Sequence, residues 1–388
     1  MKSTLIIFFS AIFHLSYAQD LAFARRTIDS LTSSGYWGRG YTKDGAKKAA
    51  EFLKNEFQLY GLKPLDDKTF FQQFSFSVNT FPGKMEVTVN NALLVPGRDF
   101  IVSPESRGIK ETCKLVKKDS INFANDDNRI VVSLKDKLTW SVSQHKTQYT
   151  HVLINKRAIR SFPKKIKINI ENRFVKNFEA YNVAAYVKGT SNPDSMIVIT
   201  AHYDHLGGMG NETYFPGAND NASGVALLLS MAKYYAARPA KYSMVFICFS
   251  GEEAGLLGSM HFSQNPLIDL KKIRFLINTD LAGTGDEGIT VVNGSVCKNE
   301  FALLKQINDR ERLLPKINSR GKAANSDHYW FTEKGVPSFF IYTMGGIKAY
   351  HDIYDRAATL PLTEFEDLFK LLIKFNSALN SKSSGSKD

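Results

Sequence analysis

The sequence predicts an α/β fold, with a mostly parallel central sheet covered by helices on both faces and a small β-rich insertion. Three observations point there. From Tyr181 onward, short apolar runs alternate with longer stretches of helical spacing, as in a parallel sheet with crossover helices. Between about Thr80 and Arg173 the texture differs, with short alternating runs among dense lysine and arginine. A chain of 388 residues, 43% apolar and 23% charged, suits one large domain with an elaboration, or two domains.

The elements follow in order. Residues 1–18 read as a secretory leader: Lys2, the apolar run "LIIFFSAIF", then Ser16 and Ala18 at small-x-small spacing before a cut after Ala18. The run is short for a membrane span and lacks a cationic stop, so a soluble, exported protein (periplasmic or secreted) is expected. Residues 19–79 carry two helical patterns around a glycine-rich turn. In the second, Ala46, Ala49, Ala50, Leu53 and Phe57 share one face, and Gly61 closes it. Residues 80–180 form the β-rich insertion, with "KMEVTVN", "NRIVVSL", "THVLINK" and "KIKINI" as strands and a short helix between them. Residues 181–380 hold the main sheet. Its strands are "NVAAYV", "SMIVITAHYD", "YSMVFICFSG", "IRFLINTDLAG", "GITVVNG" and "SFFIYTM". Helices are expected at Ala222–Ala237, Lys298–Arg310 and Leu362–Leu379. Residues 381–388 are a low-complexity, disordered tail.

Composition removes some functions. The net charge of +12 comes without an arginine-rich helix or basic–aromatic interleaving, so a solvated basic surface is expected, not a nucleic-acid site. No segment after the leader reaches membrane-span length. Three cysteines cannot all pair: Cys248, inside an apolar run, reads as a buried thiol, and no spacing indicates a bridge between Cys113 and Cys297 or any other two.

Polar residues that carry chemistry sit at the carboxyl ends of the expected strands, where α/β sheets bind ligands. "ITAHYDHLG" ends with His202 and Asp204, two apart and so on one side of an extended chain. "PGANDNASG" places Asp220 in a tight loop before a helix. "FSGEEAGLLG" gives Glu252 and Glu253, "LINTDLAG" gives Asp280, and "IKAYHDIYD" gives Tyr350 and His351. Singly, each has a plain explanation: a helix cap, a surface histidine, two acids pointing into solvent. Together, imidazoles and carboxylates without a nearby thiolate suit zinc or a similar divalent ion.

In this order, "HYD", "GANDNASG", "SGEEAGLLGS", "NTDLAG", "SDHYWFTEKGVP" and "YHDIYD" resemble the co-catalytic di-zinc exopeptidases. That family takes in bacterial leucyl aminopeptidases, glutamate carboxypeptidase and glutaminyl cyclase. The resemblance covers roughly Asn182 to the end, with "GRGYT" and "GLKPL" near the start. The insertion stands where relatives carry a protease-associated domain and is faintly similar to one.

The resemblance implies two Zn2+ ions and a zinc exopeptidase-like α/β/α sandwich. His202 and Asp280 become terminal ligands of one ion, Glu253 and His351 of the other, and Asp220 the bridge. Glu252 becomes the general base, Asp204 the residue that orients His202, and Tyr350 a donor to the oxyanion. The Asp220–Asn221 peptide is expected to be cis. Two divalent ions carry +4 against −3 from the three carboxylates, and a bridging hydroxide brings the set to neutrality. An exported aminopeptidase acting on peptides is therefore expected. A glutaminyl cyclase, a di- or carboxypeptidase and a ligand-stripped receptor module are the alternatives. His205 is expected to face away from the ions. His261 and His328 are expected to be structural, and Trp330, Phe331, Phe339 and Phe340 core. The oligomeric state is left open.

Overall fold

The computed structural model describes residues 21–381. The expected leader lies outside the described residues. So does the expected tail, apart from Ser381, which closes the last helix.

Two helices, α1 (Leu21–Leu31) and α2 (Gly45–Leu59), open the fold. Ala46, Ala49, Ala50, Leu53 and Phe57 of α2 are buried, as their spacing requires. The helix ends where Gly61 takes φ +76°, a left-handed conformation that glycine adopts without a Cβ clash.

The main sheet contains β1 (Phe71–Thr80), β2 (Arg173–Val187), β3 (Asn192–His202), β4 (Tyr242–Phe249), β5 (Ile273–Asp280), β6 (Ile289–Val292), β7 (Ile317–Ser319) and β8 (Ser338–Thr343). Its order is β2-β4-β3-β5-β8-β6-β7, with β1 also paired to β2. The centre, β4-β3-β5-β8, is parallel. The flanks turn antiparallel, at β1–β2, β2–β4 and β8–β6.

Helices cover both faces. Alternate residues of a strand point to opposite sides. Thus Ile197, Ile199 and Ala201 pack with α1, α2, α3 (Gly224–Ala237) and α7 (Phe365–Ser381). Val198 packs the other way, with Phe262 of α4 (Leu257–Gln264) and Phe331 of α6 (His328–Glu333). Since both faces are dry, every residue of β4 is buried, which is why it reads as an unbroken apolar run. Phe339 and Phe340 are core too; Trp330 is partly exposed. Helix α5 (Lys298–Glu311) lies against α7.

Between β1 and β2 the chain builds two further sheets, of five and four strands, around a shared apolar core. Leu206, Met209 and Phe215 of the larger part join that core. Thr80 and Arg173 are directly paired, so the chain leaves and re-enters the main sheet at one point. Strand β2 runs continuously across the boundary drawn at residue 180 from composition. The short helix expected here is only a 3-10 turn, Lys156–Ala158. Strands Ile130–Lys135 and Thr150–Asn155 are parallel neighbours. Such a pair needs a crossover, usually a helix; here residues 136–149 cross as an irregular strap.

No described helix is long and apolar enough to cross a membrane. All three cysteines are free, and Cys248 is buried.

Candidate metal centre

The parallel strands deliver their carboxyl ends to one edge. His202 is the last residue of β3 and Asp280 the last of β5, while Glu252 and Glu253 follow β4. Asp220 lies in the turn Ala218–Ser223 before α3, and His351 in the loop after β8. The Asp220–Asn221 peptide is cis.

Asp220 stands in the middle. Its Oδ1 is 3.3 Å from His202 Nε2 and its Oδ2 is 3.0 Å from His351 Nε2. His202 Nε2 is also 3.3 Å from Asp280 Oδ2, and His351 Nε2 is 3.3 Å from Glu253 Oε2. Each histidine therefore faces Asp220 and one further carboxylate.

Charge in this buried cluster is strongly coupled. Burial disfavours a charged His202, yet Glu252 and Asp280 hold its pKa well above the usual imidazole value. Burial and the carboxylates act on His351 in the same opposed way, and the result is about 9. Burial works against the Asp220 carboxylate too, but His202 and His351 pull its pKa well below the ordinary range. Glu252 moves up: burial outweighs His202 and is reinforced by Glu253, Asp327 and Asp280.

These residues fit a pair of divalent ions. His202, Asp220 and Asp280 offer ligand atoms within 4.8 Å of one another, and so do His205, Asp220 and Glu253. The buried Nε2 atoms of His202 and His205 find no hydrogen-bond partner. A dry group of like-charged carboxylates is costly unless cations offset it. Nitrogen and oxygen donors without thiolate suit zinc.

One expectation needs correction. His205 does not face away: it is buried, with Nδ1 2.6 Å from Glu253 Oε1. Alternation holds only within a strand, and β3 ends at His202. Asp204 does lie against His202, with its carboxylate 3.9 Å from Nδ1. That nitrogen meets the Asp204 main-chain oxygen at 3.1 Å. The carboxylate is engaged elsewhere, accepting from Tyr41 Oη at 2.7 Å and from the Glu252 N–H at 3.2 Å. Tyr350 is 45% exposed and stacks on the His351 ring, centroids 4.0 Å apart. His261 stacks on Phe74, and the buried His328 on Phe340.

Other supports went unread in the sequence. Asp355, four residues after His351, accepts from the N–H groups of Asn219 at 2.8 Å and Asp220 at 3.0 Å. The fully buried Arg39, in "GRGYT", donates to five carbonyls: Leu31, Tyr203, Pro216, Gly217 and Asp220. It ties the His202 and Asp220 loops together. Its place in a glycine-flanked turn of that motif was the available signal.

A family model described as peptidase family M28 matches residues 182–376. Aminopeptidase YwaD of Bacillus subtilis is 32% identical over 154 residues, 39% of this chain and 32% of that one. A probable leucine aminopeptidase of Arthroderma otae is 28% identical over 182 residues, 44% of this chain and 48% of that one. The chain spans between about a fifth and a half of the length of the curated relatives it matches. The solved structure of BSAP, a zinc aminopeptidase from Bacillus subtilis, superposes with a TM-score of 0.68 at 19% identity, covering 94% of this chain and 96% of that one. At that identity the likeness is one of fold.

Proposed function

The chain belongs to peptidase family M28, and on that premise we propose that it is a zinc-dependent aminopeptidase that removes N-terminal residues from peptides. One observation supports this above all. The two oxygens of Asp220 face two different histidines, each backed by its own second carboxylate, Asp280 or Glu253. The names of the relatives, aminopeptidase and leucine aminopeptidase, point the same way.

In this reading His202 and Asp280 would hold one ion and Glu253 and His351 the other, with Asp220 available to both. When bound, the pair of ions lowers the pKa of water and polarises the scissile carbonyl. The chain's own residues do the rest. Glu252 takes a proton from the attacking water and delivers it to the leaving amine. Its main-chain N–H is held by the Asp204 carboxylate at 3.2 Å. The Tyr350 hydroxyl stabilises the oxyanion, and its stacked ring keeps it beside His351. The α-amine of the substrate is held by the carboxylates of the cluster. The leader pattern at Lys2–Ala18 supports export to the periplasm or medium.

A peptide panel tests the reading. Leucyl chromogenic amides with a free amine are expected to turn over, and chelator to abolish it. Equal turnover of the N-acetylated amides would exclude an aminopeptidase. Cyclisation of N-terminal glutamine without hydrolysis would turn the assignment to an acyltransferase.

A further inference from the structure

The strap 136–149 belongs by sequence to the β-rich segment, yet its middle lies against the candidate centre. The Trp140 N–H donates to the His351 carbonyl at 2.9 Å, and His351 Nδ1 meets the Trp140 carbonyl at 3.0 Å. Four residues on, Gln144 Nε2 donates to the carbonyl of Ala254, next to Glu253, at 2.8 Å. One short segment thus grips the two loops that carry Glu253 and His351. Among the described hydrogen bonds, none joins the strap to His202 or Asp280.

The contacts have direct chemical consequences. A histidine whose Nδ1–H is given to a carbonyl presents the Nε2 lone pair, the atom that faces Asp220 and Glu253. His351 also has φ +53°, a left-handed conformation that a non-glycine residue keeps only when its surroundings impose it. The paired bonds with Trp140 are part of those surroundings.

The strap is itself anchored at both ends of this grip. Trp140 Nε1 donates to the Val102 carbonyl at 2.7 Å, and its ring stacks on Phe215 with centroids 4.7 Å apart. The Ser77 hydroxyl donates to the Gln144 carbonyl, and the Asn79 N–H to the Ser143 carbonyl, each at 2.9 Å. Lys137 holds the Lys348 carbonyl at 2.9 Å, three residues before His351.

We propose that Trp140 and Gln144 are positioning residues for one half of the metal centre: they set the affinity of the ion held by Glu253 and His351 and leave the ion held by His202 and Asp280 unaffected. This rests on the two-ion reading above.

The test is Co2+ titration of the metal-free, full-length protein, followed by d–d absorption and compared among variants. Outer hydrogen-bond partners of metal ligands are commonly worth about 10–100-fold in affinity. Trp140→Ala keeps the main-chain groups that meet His351 but removes the indole that anchors them to Val102 and Phe215, so it is expected to weaken one of two binding steps by about the lower end of that range. The weakened step is the one that Glu253→Gln also weakens, and the other step stays within about twofold. Gln144→Ala weakens the same step by a smaller factor, and Trp140→Phe, which keeps the stack on Phe215, recovers part of the loss. If Trp140→Ala does not fold by circular dichroism, Gln144→Ala decides alone. Variants that bind both ions as the wild type does, or lose both equally, overturn the inference and leave the two-ion reading standing. A wild type that takes up no second ion overturns that reading, and this inference with it.

Discussion

His205 Nδ1 lies 2.6 Å from Glu253 Oε1, while the other oxygen of the same carboxylate faces His351 at 3.3 Å. One side of Glu253 is occupied, and the opposite side is thereby aimed. The His205 ring also fits closely beneath Gly217, where a Cβ would come within 2.4 Å of ring carbon Cδ2. The prop therefore ties the loop before Asp220 to the loop after β4. His205→Phe keeps the ring but not the contact. It should cut turnover and affinity for one ion by about 10–100-fold with the fold intact. Metal stoichiometry beside turnover is the check, and unchanged values for both would dismiss the prop.

The adjacent glutamates should fail in different ways. Glu253→Gln weakens a ligand, so one ion is lost and activity partly returns with excess zinc. Glu252→Gln removes the proton carrier, so both ions stay while turnover falls by roughly two to four orders of magnitude. A Glu252→Gln protein that loses metal would show the two roles to be reversed.

Arg39 should matter to stability before it matters to rate. Five buried carbonyls accept from one guanidinium, Gly217's also accepting from the Ala222 N–H, and each acceptor left stranded costs about 1–3 kcal/mol. Arg39→Met should lower unfolding free energy by at least ~3 kcal/mol in urea melts. Arg39→Lys should recover little, because an ammonium cannot reproduce the planar fork. A change under ~1 kcal/mol in either variant would refute this.

His328 should make the fold acid-sensitive. Burial pushes its pKa down to about 4, against 6.5 for an ordinary histidine. Between those values the unfolded chain binds a proton that the folded chain does not. Stability is therefore complete above pH 6.5 and falls as pH drops toward 4, by up to roughly 3 kcal/mol. His328→Phe, which preserves the stack on Phe340, should lose this part of the pH dependence. Urea midpoints at pH 7 and pH 4.5 for both proteins give the difference. Parallel pH profiles would rule the effect out.

Much of this was legible in the sequence because a strand buried on both faces is an uninterrupted apolar run. Where "YSMVFICF" breaks into Glu252 and Glu253, or "IRFLINT" into Asp280, the charge has no packing reason to be there. The residues that escaped notice act through the backbone or lie past the end of a strand. Trp140 works through its own carbonyl, which no side-chain pattern reveals. Arg39 binds carbonyls 164 and 177 residues away, a pairing that only the fold creates. His205 misled because the parity of a strand was extended into a loop.

The pairing of Thr80 with Arg173 makes the whole intervening stretch removable on paper: a two-residue hairpin turn would rejoin β1 to β2 without disturbing their register. Such a shortened protein would keep its sheet and every candidate ligand. It would uncover Leu206, Met209 and Phe215, and leave His351 with neither the carbonyl nor the N–H that now fix its ring and backbone. A module that the pairing of the main sheet does not require is thus tied to the candidate chemistry through His351, so altering it would be felt at the ligands before it is felt in the strand order.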